Sequence, residues 1–164
     1  MSGINIFSFG FGQVAKNFVK KLKSENIKFK LSTTSREKTK DKKLENINYK
    51  NFYLDEKKFD KNLLVNLEKS DHILVSIPPV GGTDIVIQNF KKELNNKRIK
   101  WITYLSATSV YGNHNGQWVD ENSETKPRSL NAVERLKAEK LWIATAKKYN
   151  LQLQIFRLSG IYSN

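Results

Sequence analysis

The sequence predicts an α/β fold, a parallel sheet of about six strands with helices on both faces. Three observations carry this. Apolar runs alternate with segments of helical spacing from one end of the chain to the other. The first run opens directly into a turn containing Gly10 and Gly12, and the fourth ends at Pro78 and Pro79, where a strand ladder cannot continue. At 164 residues the chain has the length of one domain, read as 1–164, and can bury about two-thirds of its unfolded surface without staples.

Each element follows in order. Residues 4–9 read as the first strand. From Gln13 the period changes: Val14, Phe18 and Leu22 recur four apart with Ala15 and Val19 beside them, a helical stripe turned to the sheet. Residues 29–33 and 49–53 are the second and third strands, 59–67 has helical spacing, and 73–77 is the fourth strand. After Gly81 and Gly82, Thr83 or Asp84 can cap a helix to about residue 94. Residues 101–106 are the fifth strand, Ser129 can cap a helix to about 149, and 151–158 are the sixth strand. The arrangement is the doubly wound Rossmann type, whose ligands bind at the carboxyl edge of the sheet. Residues 107–128, the one long irregular connection, lie on that edge.

Composition narrows the function classes. With no cysteine there is no disulfide framework and no thiolate chemistry, and no metal site is expected. No apolar run approaches the roughly 18 residues of a membrane span, and the first residues lack the pattern of a secretory signal. The expectation is a soluble, cytoplasmic protein without a membrane partner. A net charge of +13 invites a nucleic-acid reading. The lysines are spread in short runs along solvated helix faces, however, and the heavy use of Asn, Lys and Ile matches an AT-rich coding sequence. Nucleic acid is therefore set aside as a partner, and a homodimer is left open.

Strand, then Gly10-Phe11-Gly12-Gln13-Val14-Ala15, then helix, is the context of a dinucleotide turn. Gly10 permits the tight turn, Gly12 lets the backbone approach a pyrophosphate, and Ala15 allows close helix–strand packing. The amides near Gln13 and Val14 then face the phosphates at the positive end of the helix dipole. The end of the second strand selects the cofactor. NAD enzymes place an acid about 20 residues after the glycines, but 31–36 reads Leu-Ser-Thr-Thr-Ser-Arg. Arg36 with the hydroxyls of Thr34 and Ser35 can cradle a 2′-phosphate, so NADP is expected in preference to NAD; the alternative is a surface arginine near a turn. Ser76 and Pro78, at the end of the fourth strand, complete the expected cofactor-binding set.

The later residues are more specific. Tyr104 to Gly112 reads Tyr-Leu-Ser-Ala-Thr-Ser-Val-Tyr-Gly; Trp118-Val119-Asp120-Glu121, Pro127-Arg128-Ser129, Ala138-Glu139 and Arg157-Leu158-Ser159-Gly160-Ile161-Tyr162 follow in turn. In this order the chain resembles the NAD-dependent epimerase/dehydratase family of extended short-chain dehydrogenase/reductases. The Ser76-Ile77-Pro78-Pro79 ending and the G-x-G-x-x-A turn are closer to its atypical branch. The resemblance implies an oxidoreductase or epimerase-like activity on an unnamed small molecule, worked by a Ser/Thr, a tyrosine and a lysine. Those three positions fall on Ala107, Asn131 and Arg135. None can play the expected part, since alanine has no donor, asparagine does not titrate and arginine stays charged. Arg135 can still bond ribose hydroxyls. Tyr111 and Thr108 are the candidate catalytic substitutes, although the tyrosine of this motif is commonly structural; His114 reads as a turn residue. The resemblance also implies a substrate-binding C-terminal region that this chain does not contain, so it is either part of a longer protein or a minimal dinucleotide binder. Two readings stand: an oxidoreductase with a degenerate triad, or a non-catalytic dinucleotide-binding or redox-sensing protein.

Overall fold

The computed structural model describes residues 3–162, so the reading of one domain from 1 to 164 extends two residues past it at each end. The elements are β1 (Ile4–Phe9), α1 (Gln13–Ser24), β2 (Phe29–Ser35), β3 (Lys40–Leu44), β4 (Ile47–Tyr53), α2 (Leu63–Glu68), β5 (His72–Val75), α3 (Ile85–Phe90), β6 (Trp101–Ala107), α4 (Leu130–Tyr149) and β7 (Leu153–Leu158). Seven strands form one sheet in the order β3-β4-β2-β1-β5-β6-β7. All pairs are parallel except β3 with β4. The strand order reverses between β1 and β5, the topological switch point of an open α/β sheet.

Period-two alternation sorts the strand residues between the two faces. Phe7 and Phe9 of β1, with Ile73, Val75, Ile102 and Tyr104, turn to the face covered by α2, α3 and α4, where Leu63, Phe90 and Trp142 complete the main core. Ile6 and Leu31 meet Val19 of α1 on the other face. Ala15 packs against Leu74 and Leu105 with no exposed surface. The buried centre of the α1 stripe is thus Ala15 and Val19. Val14, Phe18 and Leu22 lie at its rim, along an apolar groove of about 390 Å³ over β5, β6 and β7, and Phe18 stays 43% exposed.

The expected sheet is present with one more strand than the sequence suggested. The addition, β3, pairs Lys40 with Asn51 through Leu44 with Ile47 and turns back through Glu45 at φ 53°. Its sequence, Lys-Asp-Lys-Lys-Leu, has no apolar period because it is an edge strand, and lysines there deter pairing with another chain. The expected helix over 59–67 forms only from Leu63 onward, Phe59 being held instead in a bridge to Leu54. Capping sets both helices that line the ligand edge. Asp84 accepts from the Val86 and Ile87 amides at the start of α3, and Ser129 accepts from the Ala132 amide at the start of α4. Asn150, left-handed at φ 52°, ends α4. Among the described residues no helix is long and apolar enough to cross a membrane, and no group of His, Asp and Glu could hold a metal ion.

Candidate functional site

The turn after β1 lies at the switch point and shows why its glycines differ. Gly10 has φ +81°, and a Cβ there would meet Ile77 Cγ2 at 2.6 Å and Ser76 Oγ at 2.8 Å. It is a glycine because the protein itself leaves no room. At Gly12, with φ −80°, an added Cβ would meet nothing within 4 Å. Packing does not explain that glycine. Gly12 lines two hollows, one on either side of the turn.

The first hollow, about 450 Å³, lies between the glycine turn, the Thr34–Arg36 end of β2, the segment Leu54–Glu56 after β4, and Ile77 and Pro78. Its volume falls within the roughly 300–1,000 Å³ usual for ligand sites. The second, about 240 Å³, is walled by Gln13, Val14, Ser76, Ser106, Ala107, Arg135 and the end of β7. Two hollows flanking a helix N-terminus at a sheet's switch point suit the two halves of a dinucleotide, with the amides at the start of α1 between them.

Most of the residues expected to hold a cofactor therefore come together, in different roles. Thr34 is buried, and its Oγ1 accepts from the Gly10 amide at 3.0 Å, tying β2 to the turn. Ser35 Oγ accepts from Asn51 Nδ2 at 2.9 Å and from the Glu37 amide at 3.2 Å. Arg36 points outward with its side chain 78% exposed, 3.6 Å from a Glu56 carboxylate oxygen. Ser76 Oγ donates to Phe9 O at 3.2 Å. Arg135 Nη1 donates to Leu105 O at 2.8 Å, which fixes the guanidinium at the wall of the second hollow.

The expected catalytic residues do not gather. Ala107 lines the second hollow, but Asn131 is exposed on the first turn of α4 and Thr108 is exposed in the short 3₁₀ turn Thr108–Val110. Tyr111 is buried outside the residues lining either hollow, its ring 4.7 Å from the Arg157 guanidinium. Arg157 in turn makes a forked ion pair with the buried Glu139 at 2.8 Å, and that hydrogen bond raises the arginine's pKa further. His114 Nε2 bonds Glu124 O at 3.0 Å within the long loop. Gly112 follows the tyrosine because a Cβ there would collide with the Lys126 carbonyl at 1.9 Å. The Val-Tyr-Gly motif here packs the loop onto the sheet.

Sequence reasoning missed the acids of the first hollow, Asp55 and Glu56. They follow β4, whose place beside β2 is set by the order of the strands in the sheet and is not marked along the sequence. Asp55 Oδ1 accepts from the Lys57 and Lys58 amides, each at 2.8 Å, and Oδ2 accepts from the Tyr53 hydroxyl. The Tyr53 hydrogen bond, then the two amides, hold its pKa at about 2.

No family model and no curated protein matches the sequence. Solved structures share the fold. A functionally unknown conserved protein from Silicibacter pomeroyi DSS is 27% identical with a TM-score of 0.77, over 98% of this chain and 54% of that one. UDP-glucuronic acid 4-epimerase from Bacillus cereus, solved with NAD, is 18% identical with a TM-score of 0.77, over 97% and 57%. dTDP-glucose 4,6-dehydratase from Bacillus anthracis str. Ames, also solved with NAD, is 19% identical with a TM-score of 0.69, over 94% and 54%. The fold is thus that of NAD-dependent epimerases and dehydratases, and the chain spans little more than half the length of these structures.

The expected preference for NADP is corrected here. The neighbours solved with a cofactor hold NAD. The physical reason lies in the first hollow: Arg36, the cation expected to meet a 2′-phosphate, is answered by the Glu56 carboxylate. A cradle for a 2′-phosphate is not assembled.

Proposed function

We propose that this domain binds NAD across the carboxyl edge of its sheet. We infer further that it is an epimerase- or dehydratase-like oxidoreductase of the atypical short-chain dehydrogenase/reductase branch, with the usual Ser/Tyr/Lys triad replaced. The observation that carries the reading is the unfilled space at Gly12, which lines both hollows at the start of α1. NAD, when bound, supplies the hydride-accepting ring of such an enzyme. The chain's own part is binding and orientation. The amides of Gln13 and Val14 receive the pyrophosphate at the positive helix end. Arg135, anchored on Leu105 O, keeps its other N–H groups for ribose hydroxyls.

The second reading, a dinucleotide-binding protein without catalysis, is favoured by Ala107, which puts a methyl group where the family's hydroxyl would stand in the second hollow. A positioned acid or base contributes about 10² to 10⁴ in rate, and Asn131 supplies none. Calorimetric titration with NAD, followed by single-turnover hydride transfer assays on sugar nucleotides, separates the two. Binding with reduction of NAD supports the oxidoreductase, binding alone supports the second reading, and absence of NAD binding defeats both.

A further inference from the structure

The first hollow carries three charged side chains, and only two of them are free to choose a ligand. Asp55 is turned into its own loop by the Tyr53 hydroxyl and two amides. Arg36 and Glu56 face one another at 3.6 Å across the rim, their side chains 78% and 52% exposed. The pair joins the end of β2 to the segment after β4, the two strands being neighbours in the sheet.

Resting on the reading that this groove holds a dinucleotide, we propose that Glu56 is the specificity-determining residue that selects NAD over NADP. The acid comes from the segment that follows β4, the strand next to β2, instead of from the end of β2 itself, which offers only Thr34, Ser35 and Arg36. Two effects act together. Glu56 neutralises Arg36, the basic side chain lining the hollow, and it would set a like charge beside a 2′-phosphate held there, which disfavours binding. A ribose 2′-hydroxyl meets no such penalty, because a carboxylate accepts its hydrogen bond. The ion pair is exposed, so it is held weakly and screened by solvent. Discrimination therefore comes from the charge of Glu56 and not from a rigid clamp. The same weakness leaves Arg36 ready to turn to a phosphate once Glu56 is neutral.

The test measures NAD and NADP dissociation constants for the unaltered protein, Glu56→Gln and the double variant Glu56→Gln/Arg36→Gln. Both side chains are exposed, so folding is unaffected. The unaltered protein binds NAD more tightly. Glu56→Gln moves the affinity ratio toward NADP by about tenfold or more, the size of one charge-assisted hydrogen bond from Arg36 to the phosphate, and the double variant keeps only the smaller part of that gain that comes from lifting the repulsion. A ratio unchanged in Glu56→Gln, with NAD still bound, overturns the proposal alone, as does a gain as large in the double variant as in Glu56→Gln. Failure of the unaltered protein to bind either dinucleotide overturns the reading of the groove and the proposal with it.

Discussion

At the scale of single residues, Gly10 and Gly12 are separated by what a side chain would meet. Alanine at Gly10 needs a left-handed backbone and pushes into Ile77 and Ser76. The conformational penalty alone is about 1–2 kcal/mol. With the clash added, Gly10→Ala is expected to lose at least about 2 kcal/mol in urea unfolding, whether or not a cofactor is present. Asp84 offers a second test, through pH. Burial raises its pKa, against the opposing pull of the Ile87 amide, the Trp142 indole N–H and the Val86 amide. With the folded pKa above the unfolded one, the native state binds more protons across that window, so the contribution of Asp84 to stability falls as pH rises through it. Asp84→Asn carries no charge at any pH. Its melting temperature relative to the unaltered protein should therefore climb as pH rises from about 3.9, the unfolded carboxylate pKa, through the raised folded one, whatever constant offset Trp142 adds. A flat difference would show that Asp84 does not titrate in the fold.

At the scale of elements, α4 does two jobs. Its first turns bring Arg135 to the ligand edge, while Glu139 and Trp142 clamp it to β7 and α3 through Arg157 and Asp84. Removing Glu139 strands a largely buried guanidinium. Glu139→Ala should cost about 3–5 kcal/mol, toward the low end because the Arg157 side chain keeps 20% of its surface in water. Chemical denaturation measures it. Helices and strands with one apolar face were legible in the sequence: α1 and α4 begin at the expected Gln13 and Ser129 boundaries. The edge strand β3 was not, since both of its faces approach solvent and no hydrophobic period marks it. The turn could be read because glycine at Gly10 is forced by local geometry. The role of Arg36 was misread, because the carboxylate that answers it, Glu56, meets it only across the sheet. Tyr111 illustrates the same limit: its motif is local and visible along the chain, whereas its contact with Arg157 depends on the pairing of β6 with β7.

At the scale of the whole molecule, the two faces of the sheet are unequally covered. Three helices bury one face, whereas the groove beside α1 leaves Trp101 and Phe156 39% and 48% exposed with Phe18. Exposed apolar patches attract other apolar surfaces. The 164-residue chain should bind a hydrophobic fluorescent dye, and Trp101→Ser with Phe156→Ser should reduce that signal severalfold without changing NAD affinity, since neither side chain lines either hollow. Unchanged dye fluorescence would place the apolar surface elsewhere. The proposed dinucleotide binding rests above all on the space at Gly12, and titration of the Gly12→Val variant with NAD tests it most directly. Because a Cβ there meets nothing, the variant should keep the stability of the unaltered protein to within about 1 kcal/mol and lose NAD binding by about a hundredfold or more, roughly 3 kcal/mol. A folded Gly12→Val protein that binds NAD as tightly as the unaltered chain would contradict it.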